Sequence, residues 1–462
     1  MRTKQIQIAL SDFAILICLI VVLGIHGHHT YWRNEKKIIE SDVNNYYAYL
    51  PATFIYQDLS LQFASKVDPS VSTRVWFEKT EDGGRVIKTT MGVAYLYFPF
   101  FIVANQLAGN FGYEPNGYTT PYVFGVIAAS IFYLICGLFF IKRLLKRYVS
   151  EWASFWTILI IGAGTNIVNY VTREAGMSHS FSFFLISVFI YGVDSWTVKK
   201  ENRQIYFICF ILGMITLIRP INILVGLFPL LYGVNSKGSF LERIKLIFLP
   251  AKELAIKIFL FFLPIIPQLL YWKYNTGSWV FNSYVKDETF FFTDPKIIDG
   301  LFSFRKGWLL YTPLMTLSIL GIIVNLKKHQ NKTGVIGVFL LIMLFVAFSW
   351  WCWWYGGSFG ARPLIDFYGI LAIPIALVLH SLLKVKWITI KVGGFALVLS
   401  LIIMNQIQAY QYRVGLLHYD GMNQEVYWQS FLKTDMTTEE YTKFISLKSK
   451  VDYDGAKKGT NR

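Results

Sequence analysis

Acidic residues are scarce in this 462-residue chain: 28 Asp and Glu stand against 44 Lys and Arg, a formal net charge of +16. Charge of either sign is thin, at 16% of residues, whereas 54% are hydrophobic and 18% aromatic. So apolar a composition excludes an ordinary cytosolic enzyme. Cysteine is nearly missing, and Cys18, Cys136, Cys209 and Cys352 lie in or beside apolar runs without C-x-x-C spacing, so they read as packing residues. The first apolar run, Phe13 to Ile25, is followed by HGHHTYW, which lacks a small-residue cleavage site, so the run reads as a retained span. Internal repeats, low-complexity stretches and the inverted pair of broken helices seen in transporters are also missing.

What is present is a series of apolar runs of about 18 to 25 residues, each able as a helix to cross roughly 30 Å of hydrocarbon. The expected fold is an all-α polytopic integral membrane protein of about eleven transmembrane helices. They fall near 8–26, 120–141, 152–171, 177–197, 205–218, 221–234, 256–273, 308–325, 334–352, 363–382 and 387–407. Segment 91–108 is read as re-entrant or interfacial. If it crossed, Lys142, Arg143, Lys146 and Arg147 would lie outside, against the bias of short basic loops toward the cytoplasm.

With the N-terminus inside, segments 1–5, 142–151, 198–204, 235–257, 326–333 and 383–391 carry 20 Lys and Arg against four acids, Glu151, Glu201, Glu242 and Glu253. The remainder balances at 24 of each sign, so the whole net charge falls on one side. That asymmetry explains the basic character without nucleic acid, which would require basic residues gathered on one solvated face. The expected division is a transmembrane domain over 1–407, with outer segments 27–119 and 274–307, and an extracytoplasmic tail over 408–462.

The first outer segment contains IIESDVNNYYAYLPATFIYQDL, residues 38–59, where Tyr46, Tyr47, Leu50, Phe54 and Ile55 fall at helical spacing. This predicts an amphipathic helix in the interface. Glu40 and Asp42 stand at its start. A carboxylate held there can take a proton from an attacking hydroxyl. Equally, Ser41 or Asp42 can simply cap the helix.

Glu40-x-Asp42, the YYAYLPA run, an odd span count and an outer C-terminus resemble the polyprenyl-phosphate-dependent glycosyltransferases of the GT-C fold, which include protein O-mannosyltransferases and aminoarabinose transferases. The resemblance implies Asp42 as catalytic base, Glu40 in support and juxtamembrane helices after them. It implies a polyprenyl-phosphate-linked sugar donor, an extracytoplasmic glycan, lipid or protein acceptor, inversion at the anomeric carbon, and a place in the plasma (inner) membrane. In RVIKTTMGVAYLYFPF, residues 85–100, it makes Lys88 the counterpart of a basic residue touching lipid phosphate, although K-P-P is absent; a solvated lysine is the other reading.

The turn NYVTREAGMSH, 169–179, gathers Arg173, Glu174 and His179 where the chain re-enters lipid. The resemblance makes Glu174 a second acid orienting the acceptor, while a water-facing loop accounts for the same residues. Arg219, beside Pro220 in TLIRPINILVG, calls for an anion or backbone carbonyls, or else snorkels to the interface. Arg305 and Lys306 precede a span on its outer side, where a local anion would relieve them. In WWCWWYGGSFGARPLIDFYG, 350–369, five aromatics lead through Gly356, Gly357 and Gly360 to Arg362. Close backbone approach, helix N–H groups and a forked guanidinium make a phosphate or sugar cradle; an aromatic belt with a glycine turn is the plainer account. The pattern also resembles G-G-x-x-F-G-x-R of bacterial GT-C relatives.

His26, His28 and His29 invite a zinc reading, but three histidines in a run more often form an interfacial cluster than a fixed coordination shell. No cofactor is expected to be required, and a divalent metal stays open because some GT-C enzymes hold one. The expected activity is glycosyl transfer from the lipid-linked donor. The alternatives are a transporter or flippase of lipid-linked saccharides and a glycan ligase.

Overall fold

The computed structural model describes residues 9–80, 83–283, 288–327 and 330–460. Arg2, Lys4 and Lys328, counted in the charge balance, lie outside them. The described residues are overwhelmingly helical, and their single β ladder pairs Glu78–Lys79 antiparallel with Arg85–Val86. A chain this apolar folds into helices because each helix satisfies its own backbone N–H and C=O groups where lipid offers no partner.

Among the described residues, seven helices are long and apolar enough to cross a membrane: Leu10–His29, Gly92–Phe111, Thr120–Leu145, Ser178–Lys199, Asn331–Ser349, Arg362–Leu383 and Ile388–Val414. An eighth crossing results if Ala251–Phe262 and Ile266–Thr276, bent by 57° where Pro264 and Pro267 interrupt the ladder, form one span. By length and composition the described residues thus show seven or eight spans, and the expected eleven are not shown. Four expected spans are shorter apolar helices, Glu151–Ala163, Asn202–Ile218, Pro220–Leu231 and Pro313–Asn325. Glu151–Ala163 has 13 residues, about 20 Å of helix at 1.5 Å per residue, and stops where Gly164 caps it. Prolines 220 and 313 cut the others. Conversely, Gly92–Phe111, read as re-entrant or interfacial, has the length and composition of a span.

The chain divides into two compact units. The first comprises Met1–Leu23, Leu138–Asn169 and Lys286–Arg462; the second comprises Gly24–Gly137 and Tyr170–Val285. In the first, the segment after 408 packs on its own membrane helix. Tyr311, Phe359, Ala409 and Tyr412 share a buried core with Leu417, Met422, Val426, Tyr427 and Phe444. A polar stripe at the end of Ile388–Val414 fastens it: Gln408 donates to Tyr427 Oη at 2.9 Å and Gln411 to the Lys433 carbonyl at 2.8 Å. Short tail helices start on side-chain caps, Asn423 to Val426 N–H at 3.0 Å and Thr437 reciprocally with Glu440.

In the second unit, the interfacial helix expected over 38–59 forms instead as two short helices, Asp42–Tyr47 and Tyr49–Phe54. Tyr47 and Leu50 are buried in protein, Tyr47 donating to the Gly117 carbonyl at 2.6 Å, and Phe54 is exposed.

Close helix packing depends on missing side chains. A Cβ at Gly213 would stand 2.1 Å from the Phe261 carbonyl oxygen, and one at Gly321 would stand 2.1 Å from that of Pro374. Gly213→Ala and Gly321→Ala are each expected to cost about 1–3 kcal/mol by overpacking, read as a lowered thermal midpoint in detergent. Gly24→Ala, with nothing within 4 Å, should leave that midpoint unchanged or higher.

Candidate active site

The second unit sets its acidic pair on a sharp turn. Asn34 caps helix Glu35–Ile38 through Lys36 N–H at 3.1 Å, Ile38 and Ile39 bury themselves, and Glu40 emerges exposed. Ser41 then adopts φ 51°, ψ −129°, a conformation costly for any residue with a Cβ. The turn allows Asp42 to open helix Asp42–Tyr47, where its charge complements the helix dipole. Ser41 makes no side-chain capping bond, so the capping reading is not realised at that residue.

Glu40 is exposed, yet desolvation by the surrounding protein pushes its carboxyl above the usual carboxylate range. Lys37, Arg173 and Arg74 oppose this, and Glu174 reinforces it. The structure thus brings Arg173 and Glu174, half-buried in the 169–179 turn, into the field of Glu40.

The turn is held there by Gly176. Its φ of 98° suits glycine, its N–H donates to Ser130 Oγ at 2.8 Å, its carbonyl accepts from Tyr97, and a Cβ would meet Val43 and Val126 at 2.8 Å. Tyr46 adds a longer contact to Ser178, 3.4 Å. Sequence reasoning missed Arg74. It is buried over the Tyr118 ring at 5.2 Å and donates to the carbonyls of Tyr118, at 2.8 Å, and Glu35. Nothing in its sequence neighbourhood distinguishes it from an ordinary loop arginine.

His179 and Arg219 also meet, Arg219 Nη1 lying 3.0 Å from His179 Nδ1. Arginine only donates, so this contact holds Nδ1 as the acceptor and leaves the ring proton on Nε2. Arg219 stands in extended conformation between Asn202–Ile218 and the turn Pro220–Gly226, where a cation suits the preceding helix's C-terminus. Lys88 belongs to the same unit. Its stretch is fixed by Tyr271 to Ile87 N–H at 2.9 Å and by Tyr49 to the Thr89 carbonyl at 2.6 Å; Ser283 bonds the Lys88 carbonyl itself.

Arg305, Lys306 and Arg362 belong to the first unit. The anion that Arg305 called for is Asp420: Nε donates to its backbone carbonyl at 3.2 Å, and Nη2 lies 3.6 Å from its Oδ1. Burial lowers the Arg305 pKa, against the opposing effect of Asp420. Lys306 is buried and donates to the carbonyls of Ser358 and Tyr419. Arg362 opens the tight turn Arg362–Phe367, whose approach is set by Asn166 bonding the Phe359 carbonyl at 3.0 Å and by Gly360 at φ 62°. Trp351, Trp353 and Trp354 are buried, so they do not form the lipid-facing belt of the plainer reading. Among the described residues no group of three or more His, Cys, Asp or Glu is arranged to hold a metal, and His26 Nε2 lies 2.9 Å from the Val171 carbonyl.

No known family model matches this sequence, and no curated protein matches it.

Two outcomes follow from the acidic turn. Ser41→Gly should raise stability by about 1 kcal/mol through strain relief, measured by thermal unfolding; a lowered midpoint would contradict the strained turn. Glu40 binds its proton more tightly folded than unfolded, so its contribution is fully present below the ordinary glutamate pKa and is lost as pH rises through the raised folded value. Glu40→Gln should therefore be more stable than wild type at neutral pH, the difference vanishing in acid.

Proposed function

We propose that this chain is an integral membrane glycosyltransferase of GT-C type, moving a sugar from a polyprenyl-phosphate-linked donor to an extracytoplasmic acceptor. The observation that carries the reading is that Arg173 and Glu174, some 130 residues further along the sequence, act electrostatically on Glu40, which stands beside Asp42. Asp42 takes the acceptor proton, the hydroxyl attacks the anomeric carbon, and the bond to phosphate breaks with inversion. Glu40 keeps the neighbouring field negative and Glu174 orients the acceptor. Arg173 and Arg219, cations of the same unit, meet the departing phosphate, where fixed positive charge stabilises the negative charge that develops as the bond breaks. Arg305 and Lys306 belong to the first unit and are not given this role.

The donor's class follows from the resemblance and from topology: a lipid-linked sugar reaches an outer site by lateral diffusion. The charge asymmetry supports a plasma (inner) membrane orientation with the N-terminus cytoplasmic and 408–462 outside. Eleven crossings on this reading require the bent pair and the four shorter apolar helices to pass through the bilayer while Gly92–Phe111 turns back. The bent pair is the one feature that favours a lipid-linked saccharide carrier. Its break, Leu263–Pro264–Ile265, offers no charged side chain to bind cargo.

Purified protein in liposomes with a labelled polyprenyl-phosphate sugar should release polyprenyl phosphate. Asp42→Asn should lower turnover by about 100-fold or more with the thermal midpoint unchanged. Wild-type turnover by Asp42→Asn removes the base assignment. Lipid movement without bond cleavage in the wild type replaces transfer by the carrier reading.

A further inference from the structure

The first unit holds a second concentration of polar groups, around the tryptophan-rich turn and the tail. Arg305 stacks on Trp354, its Cζ 3.5 Å from the ring centroid, and pairs with Asp420, which is 5% exposed. Tyr453 donates to the other Asp420 oxygen at 2.5 Å and lies against Trp351 and Trp354, at 6.2 and 5.8 Å between centroids. At the surface are two exposed rings, Tyr419 and Tyr453, with the Gly356–Gly357 strap beside both. A Cβ at Gly357 would lie 3.0 Å from the Tyr419 ring, and one at Gly356 would lie 3.6 Å from Tyr453 Oη.

Five buried polar atoms of this cluster make no hydrogen bond: Arg305 Nη2, Asp420 Oδ1, and the indole nitrogens of Trp351, Trp353 and Trp354. Such orphans cost free energy, and their gathering in one place calls for a ligand chemistry that satisfies them. The Arg305–Asp420 separation of 3.6 Å is too long for a hydrogen bond. A hydroxyl suits it, since it accepts from the guanidinium while donating to the carboxylate. Phosphate does not suit it. Asp420 already balances Arg305, Lys457 faces Glu288 at 3.9 Å, and Lys306 is spent on two carbonyls.

We infer that this cluster is a binding subsite for an uncharged saccharide, with Tyr419 and Tyr453 as stacking faces and Arg305 with Asp420 as the hydroxyl-reading pair. A pyranose laid across the two tyrosines meets the side-chain-free strap, and one of its hydroxyls bridges Arg305 Nη2 and Asp420 Oδ1 while Tyr453 Oη holds the other Asp420 oxygen in place. The use of that saccharide in glycosyl transfer rests on the proposed function; its binding does not.

The full chain, purified in a detergent without a sugar headgroup, is titrated with glucose, mannose, galactose and N-acetylglucosamine while tryptophan fluorescence is followed. Wild type should give a saturable change with at least one of them. Tyr419→Ala, at an exposed position that spares the fold, should weaken it by about tenfold or more, as should Tyr453→Phe, which keeps the ring and removes the hydroxyl. No saturable change with any of the four sugars overturns the subsite, whatever the transfer assay shows, and so does an unchanged response in both tyrosine variants. Saturable binding that the tyrosine variants lose, in a protein that transfers nothing, upholds the subsite while the proposed function fails.

Discussion

Taking a charge out of water costs several kcal/mol unless a partner of opposite sign or a set of hydrogen bonds replaces the hydration shell. In a chain where only 16% of residues are charged, the few set near apolar helices must each be given such a partner. The two units solve this differently. In the first, Arg305 closes on Asp420 over a tryptophan face, and Lys306 on two carbonyls, so the cations become part of the packing. In the second, Glu40 is desolvated at a surface position, where Lys37, Arg173 and Arg74 favour its charge and Glu174 opposes it.

The difference bears on chemistry. A closed pair has little left to offer an incoming ion, but its imperfectly bonded atoms suit a neutral, hydroxyl-rich ligand. The Glu40 carboxyl, pushed upward by burial and opposed by cations, sets the electrostatic surroundings of the neighbouring Asp42. The strained Ser41 between Glu40 and Asp42 adds to this picture. Backbone strain is kept where surrounding packing over-determines it, and here buried Ile38, Ile39 and Val43 flank the turn.

Helical architecture and membrane residence were legible in the sequence because long apolar runs have few alternatives in lipid. Crossing number was less legible. Hydropathy does not register that Gly164 ends Glu151–Ala163 or that Pro220 and Pro313 break their segments, and charge bias argued against Gly92–Phe111 while its length argues for it. The resemblance made Glu174 the counterpart of a second acid, but what fixes its turn, Gly176 fitted between Val43 and Val126, lies in tertiary contact. Arg74 was invisible because burial, not residue type, gives it its role. Asp420, the anion answering Arg305, lies 115 residues away in a tail with no motif, so the lone basic pair read as a phosphate site.

The central claim is that the acidic turn and the 173–174 turn form one electrostatic site. Its most direct measurement is the titration of Glu40, carboxyl-labelled with carbon-13, by NMR in wild type, Arg173→Gln and Glu174→Gln. The account predicts a pKa above the ordinary glutamate value in wild type, raised further when Arg173 is removed and lowered when Glu174 is removed. An ordinary value insensitive to both substitutions would contradict it.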